Sequence, residues 1–444
     1  MQPTSLLAKS SSDLRGIFIS RSWTERFLFG SWLLIIALIP FHAFISTWGG
    51  STIGPLEVWK SWKEILLLVD LFVACGYLWK RGLLKRFFSD KLVWLVFAYA
   101  ALHLLLWLLL RPPLRAAFAG ILMNLCFFAI FLLAGVLTTF VERHQLLRVC
   151  LYVVLGGGLL AIFFGLLQAT VLPKDFLVHF GYSKATITPY TTLDSNESIV
   201  RLQSFLRGPN PLGQYLILIA AVLAGIWKKA RKWMVAIAFI ALLVVLALTY
   251  SRSAALALAA AWVIWVWLQI PSRALRRKVV IGGTVLLAVI VGAIAIVLPH
   301  SIALQNAILH NKQHDTDAGS TSVHFTAQVE TLKLIGHHPF GQGPGTFGPA
   351  SFYAPTPHIP EDYYLQIAGE IGVIGLAMFV TIIVVTAWRL WPHRQEFWPQ
   401  ILLVSLVGIS VINLLLHGWA DDTTAILWWG IAGLFAFRHL VKTP

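Results

Sequence analysis

The chain has 444 residues, of which 58% are hydrophobic and 12% charged, with 19 Trp, 28 Phe and a formal net charge of +15. Soluble domains carry about 25% charged residues, so this composition, with a mean hydropathy of +0.77, excludes an ordinary water-soluble enzyme and implies an all-α polytopic membrane protein. Cys75, Cys126 and Cys150 lie in or beside apolar runs without CxxC or Cys/His spacing, which argues against a disulfide framework or a zinc site.

In chain order, windows of ~19 residues give about twelve candidate spans, each close to the ~20 residues that cross a bilayer. They fall at 27–48, 62–79, 92–110, 116–138, 149–172, 208–227, 233–249, 254–270, 279–298, 364–388, 399–416 and 423–437. The apolar run after Lys9, Arg15, Arg21 and Arg26 is too long for a signal-peptide core and lacks a small-residue cleavage site, so it reads as a retained anchor. With the N-terminus inside, most Lys and Arg fall on the cytoplasmic side, including Lys80, Arg81, Lys85, Arg86, Lys228, Lys229, Arg276 and Arg277. The positive-inside rule then places both termini in the cytoplasm and explains the basic charge without nucleic acid. Trp48, Trp59 and Trp62 at the outer face, and Trp227, Trp233, Trp388, Trp391 and Trp398 at the inner face, read as aromatic belts.

Two outer segments exceed ordinary connections, 173–207 and 299–363. The second contains a short helix at 300–311, a polar stretch, an amphipathic helix at about 321–336 and the turn-rich run HHPFGQGPGTFGP. The chain thus divides into 1–298 (spans one to nine), 299–363 (a partly helical external loop that is the candidate catalytic section) and 364–444 (spans ten to twelve).

External arginines are few. Arg201 and Arg207 lie in RLQSFLRGPNPLGQYL and Arg252 in LTYSRSAALAL, all at the outer leaflet, where the positive-inside rule does not explain them. A guanidinium fork matches phosphate oxygens, so the three read as a diphosphate clamp, against the alternative of snorkelling or carboxylate-paired side chains. The loop holds His300, His310, His314, His324, His337, His338 and His358. Only His337 and His338 are closely spaced, and not as an i,i+4 ligand pair, so no metal site and no cofactor are expected. An imidazole near pKa ~6.5 suits proton abstraction instead. His324, early on the amphipathic helix, and His338, against the Gly/Pro turn, are the candidates. Glu361 and Asp362, and Glu370 deeper in the tenth span, are the carboxylate candidates. Glu370 alternatively pairs with Lys63. Lys63 and Glu64 are adjacent and point to different faces, so no internal pair is expected between them. Asp70, and Asp421 and Asp422 beside His417, are further ionisable groups in or near spans. The segment GQGPGTFGP lacks a GK[ST] ending and is no ATP loop; Gly343 and Gly345 read as allowing close backbone approach to a substrate.

The runs RLQSFLRGPNPLGQYL, LTYSRSA, GHHPFGQGPGTF and PEDYYLQIAGEIGVIGL, in this order and with a long loop before span ten, resemble the O-antigen ligase and O-antigen polymerase family. The resemblance implies an inverting, metal-independent glycosyltransferase of the bacterial inner membrane. Such an enzyme acts in cell-envelope and lipopolysaccharide biosynthesis. It moves a glycan from undecaprenyl diphosphate to the hydroxyl of a glycan, lipid or protein acceptor at the outer face, with membrane lipids as its surroundings. It places Arg201 and Arg252 on the family's diphosphate-binding arginines and Leu365 on the leucine of its HNxxL-type motif. The family's His–Asn pair falls on Glu361 and Asp362. Glu361 is therefore the first candidate for the base and His324 the second; a carboxyl near pKa ~4.3 needs desolvation to take that role, and otherwise a loop His such as His324 or His338 has it or the lipid-diphosphate leaving group makes a strong base unnecessary. The rival class is a polytopic transporter or flippase of lipid-linked glycans, which predicts decisive polar groups inside the spans, such as Asp70, His103, Asn124 and Asn413. A structural envelope protein predicts no individually essential arginine.

Overall fold

The computed structural model describes residues 22–282 and 320–437, apart from residues 194, 195, 228, 273 and 280. The expected span 279–298, the expected helix 300–311 and His300, His310 and His314 fall largely or wholly outside these residues.

The chain is a helical bundle. Helices α1 (Trp23–Leu38) and α2 (His42–Thr52) are joined by a 3-10 turn, Ile39–Phe41, so the α-helical pattern breaks within one continuous apolar stretch that holds the expected first span. Pro40, which has no N–H and clashes with a preceding carbonyl, accounts for the break. Then follow α3 (Trp62–Lys80), α4 (Lys91–Leu110), α5 (Leu114–Leu137) and α6 (Arg143–Thr170). Next come α7 (Pro209–Ile226), α8 (Lys232–Leu248), α9 (Arg252–Gln269) and α10 (Ser320–His337). Helices α11 (Tyr363–Leu390), α12 (Phe397–Asn413) and α13 (Asp422–Ala436) complete the order.

Among the described residues, seven helical stretches are long and apolar enough to cross a membrane: Trp23–Thr52, Lys91–Leu110, Leu114–Leu137, Gln145–Thr170, Pro209–Ile226, Arg252–Gln269 and Tyr363–His393. Helices α8 and α12 are apolar but shorter. Seven are thus seen among the described residues, against about twelve expected for the whole chain, one of which lies largely outside those residues. Helix α3 carries Lys63, Glu64, Asp70 and Lys80, and α13 has 15 residues. What stands is a multi-pass, mostly helical membrane protein.

Helix α13 is apolar on every side and sits at the centre of the bundle, with Leu427, Trp428, Trp429 and Ile431 fully buried. It packs along α5, where a Cβ on Gly433 would lie 2.3 Å from the Phe131 carbonyl oxygen. Small residues here let two backbones approach, the usual basis of helix association in lipid. At one end of the bundle Arg389 grips Asp90 through two bonds of 2.6 Å, and Arg81 meets Glu25 at 2.9 Å. Trp398, expected in the inner belt, is buried and donates to the Leu147 carbonyl at 3.0 Å, whereas Trp388 is exposed.

The segment 173–207 is not merely a connection. It forms a two-stranded antiparallel hairpin, β1 (Thr191–Leu193) and β2 (Asn196–Arg201), with Thr191 opposite Arg201. This is an addition to the all-α expectation. The helix expected at about 321–336 is α10.

Candidate functional site

Strand β2 delivers Arg201 to the turn between α8 and α9. The Leu202 amide donates to the Leu248 carbonyl at 3.0 Å. The Arg201 guanidinium then divides its donors, Nε to the Thr249 carbonyl and Nη2 to Asn210 Oδ1, each at 2.9 Å. Ser251 caps α9 by accepting from the Ala254 amide, and Arg252 is the first residue of that helix, exposed. The turn 249–251 thus carries one arginine bound to it and a second directly after it. Residues 203–205 are held from behind: the Ser204 amide donates to Gln168 Oε1 at 2.8 Å, and Ser204 Oγ to the Ala161 carbonyl at 2.9 Å. This fixes the approach to Arg207, which is exposed.

Next to Arg207 lies a buried charged cluster. Lys63 Nζ, on the first turn of α3, contacts Glu64 Oε1 at 2.6 Å and Asp422 Oδ2 at 3.1 Å. The expectation that Lys63 and Glu64 do not pair is therefore corrected: at the first turn the long Lys63 stem brings its ammonium to both Glu64 and Asp422. Trp62 Nε1 donates to His42 Nδ1 at 3.1 Å, and His42 Nε2 faces Asp422 at 3.6 Å. Arg207 acts electrostatically on His42, His417, Asp421 and Asp422. The connection between α12 and α13, residues 414–421, is tied to α7, since Gln214 Nε2 donates to the Gly418 carbonyl at 2.9 Å.

The loop reaches the same end. Gln328 of α10 donates to the Leu414 carbonyl at 3.3 Å, and His324 lies one helical turn before Gln328. His338 is exposed, with its amide bonded to the Leu334 carbonyl at 2.8 Å. Asp362 caps α11 by accepting from the Leu365 amide at 2.9 Å. Burial pushes the Asp362 carboxyl above its ordinary value, against the opposing effect of the Leu365 and Tyr364 amides. Glu361, immediately before it, is half-buried and has φ +52, in the left-handed region that non-glycine residues seldom occupy.

Glu370 does not pair with Lys63. It is fully buried and accepts from Asn124 Nδ2 of α5 at 2.6 Å and from Gln366 Nε2 at 3.4 Å. The amides of Gly345 and Phe347 also donate to it. Tyr363 donates to Asn124 Oδ1 at 3.0 Å, and His103 Nε2 faces Asn124 Nδ2 at 3.3 Å. Directly after Glu370, α11 is interrupted at Ile371 and Gly372, the latter at φ +76. The groups released by this break are taken up by the Gly-rich segment. Gln342 and Gly343 amides donate to the Gly369 and Glu370 carbonyls at 2.9 and 2.8 Å, and the Val373 amide donates to the Pro339 carbonyl at 2.9 Å. Gly343 and Gly345 are backed by Pro112 and Ala116 respectively. Their close approach is to α5 and its preceding turn.

Sequence reasoning singled out the three arginines but missed Asn210 and Gln214. Their signal is two amides at i,i+4 on an otherwise apolar helix, hence on one face. No curated protein matches the chain. Residues 237–380 match the family model described as O-antigen ligase, a stretch shorter than half of the chain that takes in Arg252, the Gly-rich segment, Glu361 and Glu370 and that agrees with the resemblance carried by the motifs.

Proposed function

We propose that this protein is a glycosyltransferase of the bacterial inner membrane, with both termini cytoplasmic and the Arg201 end of the bundle facing outward. It transfers an oligo- or polysaccharide from an undecaprenyl-diphosphate donor to an acceptor hydroxyl, with inversion and without a metal. The observation that carries this reading is the meeting of Arg201 and Arg252 at the turn 249–251, beside the end of the bundle that the loop helix α10 reaches. Two guanidinium groups on one turn suit a diphosphate, whose oxygens accept fork-wise from arginine.

In this reading Arg201, Arg252 and Arg207 hold the diphosphate. Glu361 takes the proton of the acceptor hydroxyl as that oxygen forms a bond to the anomeric carbon. The bond from the same carbon to the diphosphate oxygen breaks on the opposite face, and its electron pair leaves with undecaprenyl diphosphate. The strained backbone of Glu361 supports this assignment, because left-handed non-glycine residues cluster at functional sites. Asp362 caps the helix behind it, and Glu370, Gly343 and Gly345 position the loop. His324 and His338 are the alternative bases. The acceptor is a glycan, a lipid or a protein.

The test uses the full chain in nanodiscs with a lipid-diphosphate oligosaccharide, following release of undecaprenyl diphosphate. Acceptor-dependent release that collapses in Arg252→Lys and Glu361→Gln supports the reading. Retention of release in Glu361→Gln with its loss in His324→Ala moves the base to the loop. Movement of the lipid-linked glycan across the bilayer without any release makes the protein a transporter.

A further inference from the structure

His417 has no place in the mechanism above, yet both of its ring nitrogens are sealed from solvent and neither has a hydrogen-bond partner among the described residues. Buried polar atoms are nearly always satisfied, so an orphaned imidazole calls for a reason. The carboxylates nearby are already engaged. Asp422 meets Lys63 and His42, and Asp421 caps α13 by accepting from the Thr423 amide. Burial first, and the Arg207 guanidinium second, push the His417 imidazole down to about 3, so it is neutral at physiological pH. A neutral imidazole presents one N–H donor and one acceptor.

The backbone that carries His417 is rigidly set. Gln214 holds the Gly418 carbonyl, and the Trp419 amide donates to Asn413 Oδ1 at 2.8 Å. A Cβ on Gly418 would come within 2.7 Å of Gln214 Oε1. The same face of α7 holds the donor arginine: Asn210, one turn before Gln214, binds Arg201. Side chains at i and i+4 stand about 5–6 Å apart at their Cβ atoms. One stretch of helix therefore fixes both Arg201 and the loop bearing His417. Arg207, which makes no contact ion pair among the described residues, acts on the His417 ring.

We infer that His417 is a further binding residue for the donor, its ring N–H donating to a phosphate oxygen beside Arg207. The inference rests on the donor reading given above. A guanidinium that acts on the ring and an unpartnered neutral N–H donor together fit an anion with several acceptor oxygens, and a diphosphate offers both the charge and the oxygens.

The test titrates farnesyl diphosphate into the full chain in nanodiscs and measures donor KM and kcat in the release assay. His417→Ala weakens binding about tenfold, the size of one hydrogen bond to a charged group. His417→Gln, which keeps an N–H donor, restores most of the affinity, and in an Arg207→Gln background the alanine change costs less. In turnover, donor KM rises and kcat is kept. Wild-type affinity in His417→Ala, while Arg201→Lys loses it, overturns this inference and leaves the donor reading intact. A loss of kcat with unchanged KM also overturns it, assigning His417 to the acceptor proton. Absence of farnesyl diphosphate binding by the wild type removes the donor reading and this inference with it.

Discussion

Asn124 donates to Glu370 across 2.6 Å, joining α5 to α11 at a point where no cation contacts the carboxylate among the described residues. The carboxylate is compensated by donors instead, two of them amides of the Gly-rich segment. Removing Glu370 leaves the Asn124 side chain and those amides buried without an acceptor, at about 1–3 kcal/mol for each unsatisfied group. Glu370→Ala is expected to lower thermal stability in detergent by several degrees and to open the 338–362 segment to limited proteolysis. Glu370→Gln keeps an acceptor oxygen and loses less. Equal protease resistance in the alanine variant and the wild type refutes this role.

The glycine requirement is sharpest at Gly345. Its φ is +77, and a Cβ there would lie 1.9 Å from the Ala116 carbonyl oxygen. Backbone cannot yield as a flexible side chain does, so Gly345→Ala is expected to separate the loop from α5 and abolish turnover. Gly156 lies within α6 with open space around its Cβ position. Gly156→Ala is expected to leave activity unchanged and to raise helix stability by up to about 1 kcal/mol. Matching melting temperatures and activities for the two variants contradict the assignment.

These two positions also show what the sequence makes legible. Apolar length reveals the seven stretches able to cross a membrane, and the three arginines draw attention because the positive-inside rule leaves them unexplained in the segments where they stand. The partner of Glu370 is a different matter. Asn124 is 246 residues away along the chain, and nothing in local periodicity links a lone amide in α5 to a carboxylate in α11. The break at Gly372 was hidden for the same reason: hydropathy runs on through it, while the hydrogen bonds that make it tolerable come from residues 339–343. The pairing of Lys63 with Glu64 is not legible either, because helix-face reasoning fixes Cβ directions, whereas the long Lys63 stem at a first turn reaches both Glu64 and Asp422.

Arg201 gives a prediction that separates geometry from charge. Its Nε and Nη2 atoms serve two acceptors on different elements. Lysine keeps the charge and has no planar fork. Arg201→Lys is expected to reduce turnover by about a hundredfold, the scale of losing one oriented donor at a charged centre. Asn210→Ala is expected to reproduce part of that loss, because it frees one arm of the fork. Full activity in Arg201→Lys shows that charge alone suffices and removes the clamp geometry.

The pair of Asp90 and Arg389 supplies the contrast. Asp90 is buried, caps α4 through the Leu92 amide and takes two bonds from the guanidinium, which also donates to the Ala436 carbonyl. Breaking such a pair from one side leaves an uncompensated buried charge and costs about 3–5 kcal/mol. Arg389→Ala is expected to reduce the yield of folded protein and its melting temperature while the turnover of the surviving molecules stays within about twofold of wild type. Loss of turnover in fully folded Arg389→Ala places this end of the bundle in the reaction.

The pH dependence of stability tests the state of His417 independently of any ligand. Folded, the imidazole is held down to about 3 by burial and by Arg207. Unfolded, it titrates near 6.5. Above pH 6.5 both states are neutral there and the group has no effect. As pH falls from 6.5 toward 3, the unfolded chain binds a proton that the folded one does not, so folding stability declines, by at most about 1.4 kcal/mol per pH unit from this residue. His417→Gln has no such proton to take up. The difference in melting temperature between wild type and His417→Gln is therefore expected to be constant between pH 8 and 7 and to move in favour of the variant between pH 6 and 4.5. A difference that stays flat across the whole range means that the folded imidazole ionises freely, which requires a partner or solvent at the ring.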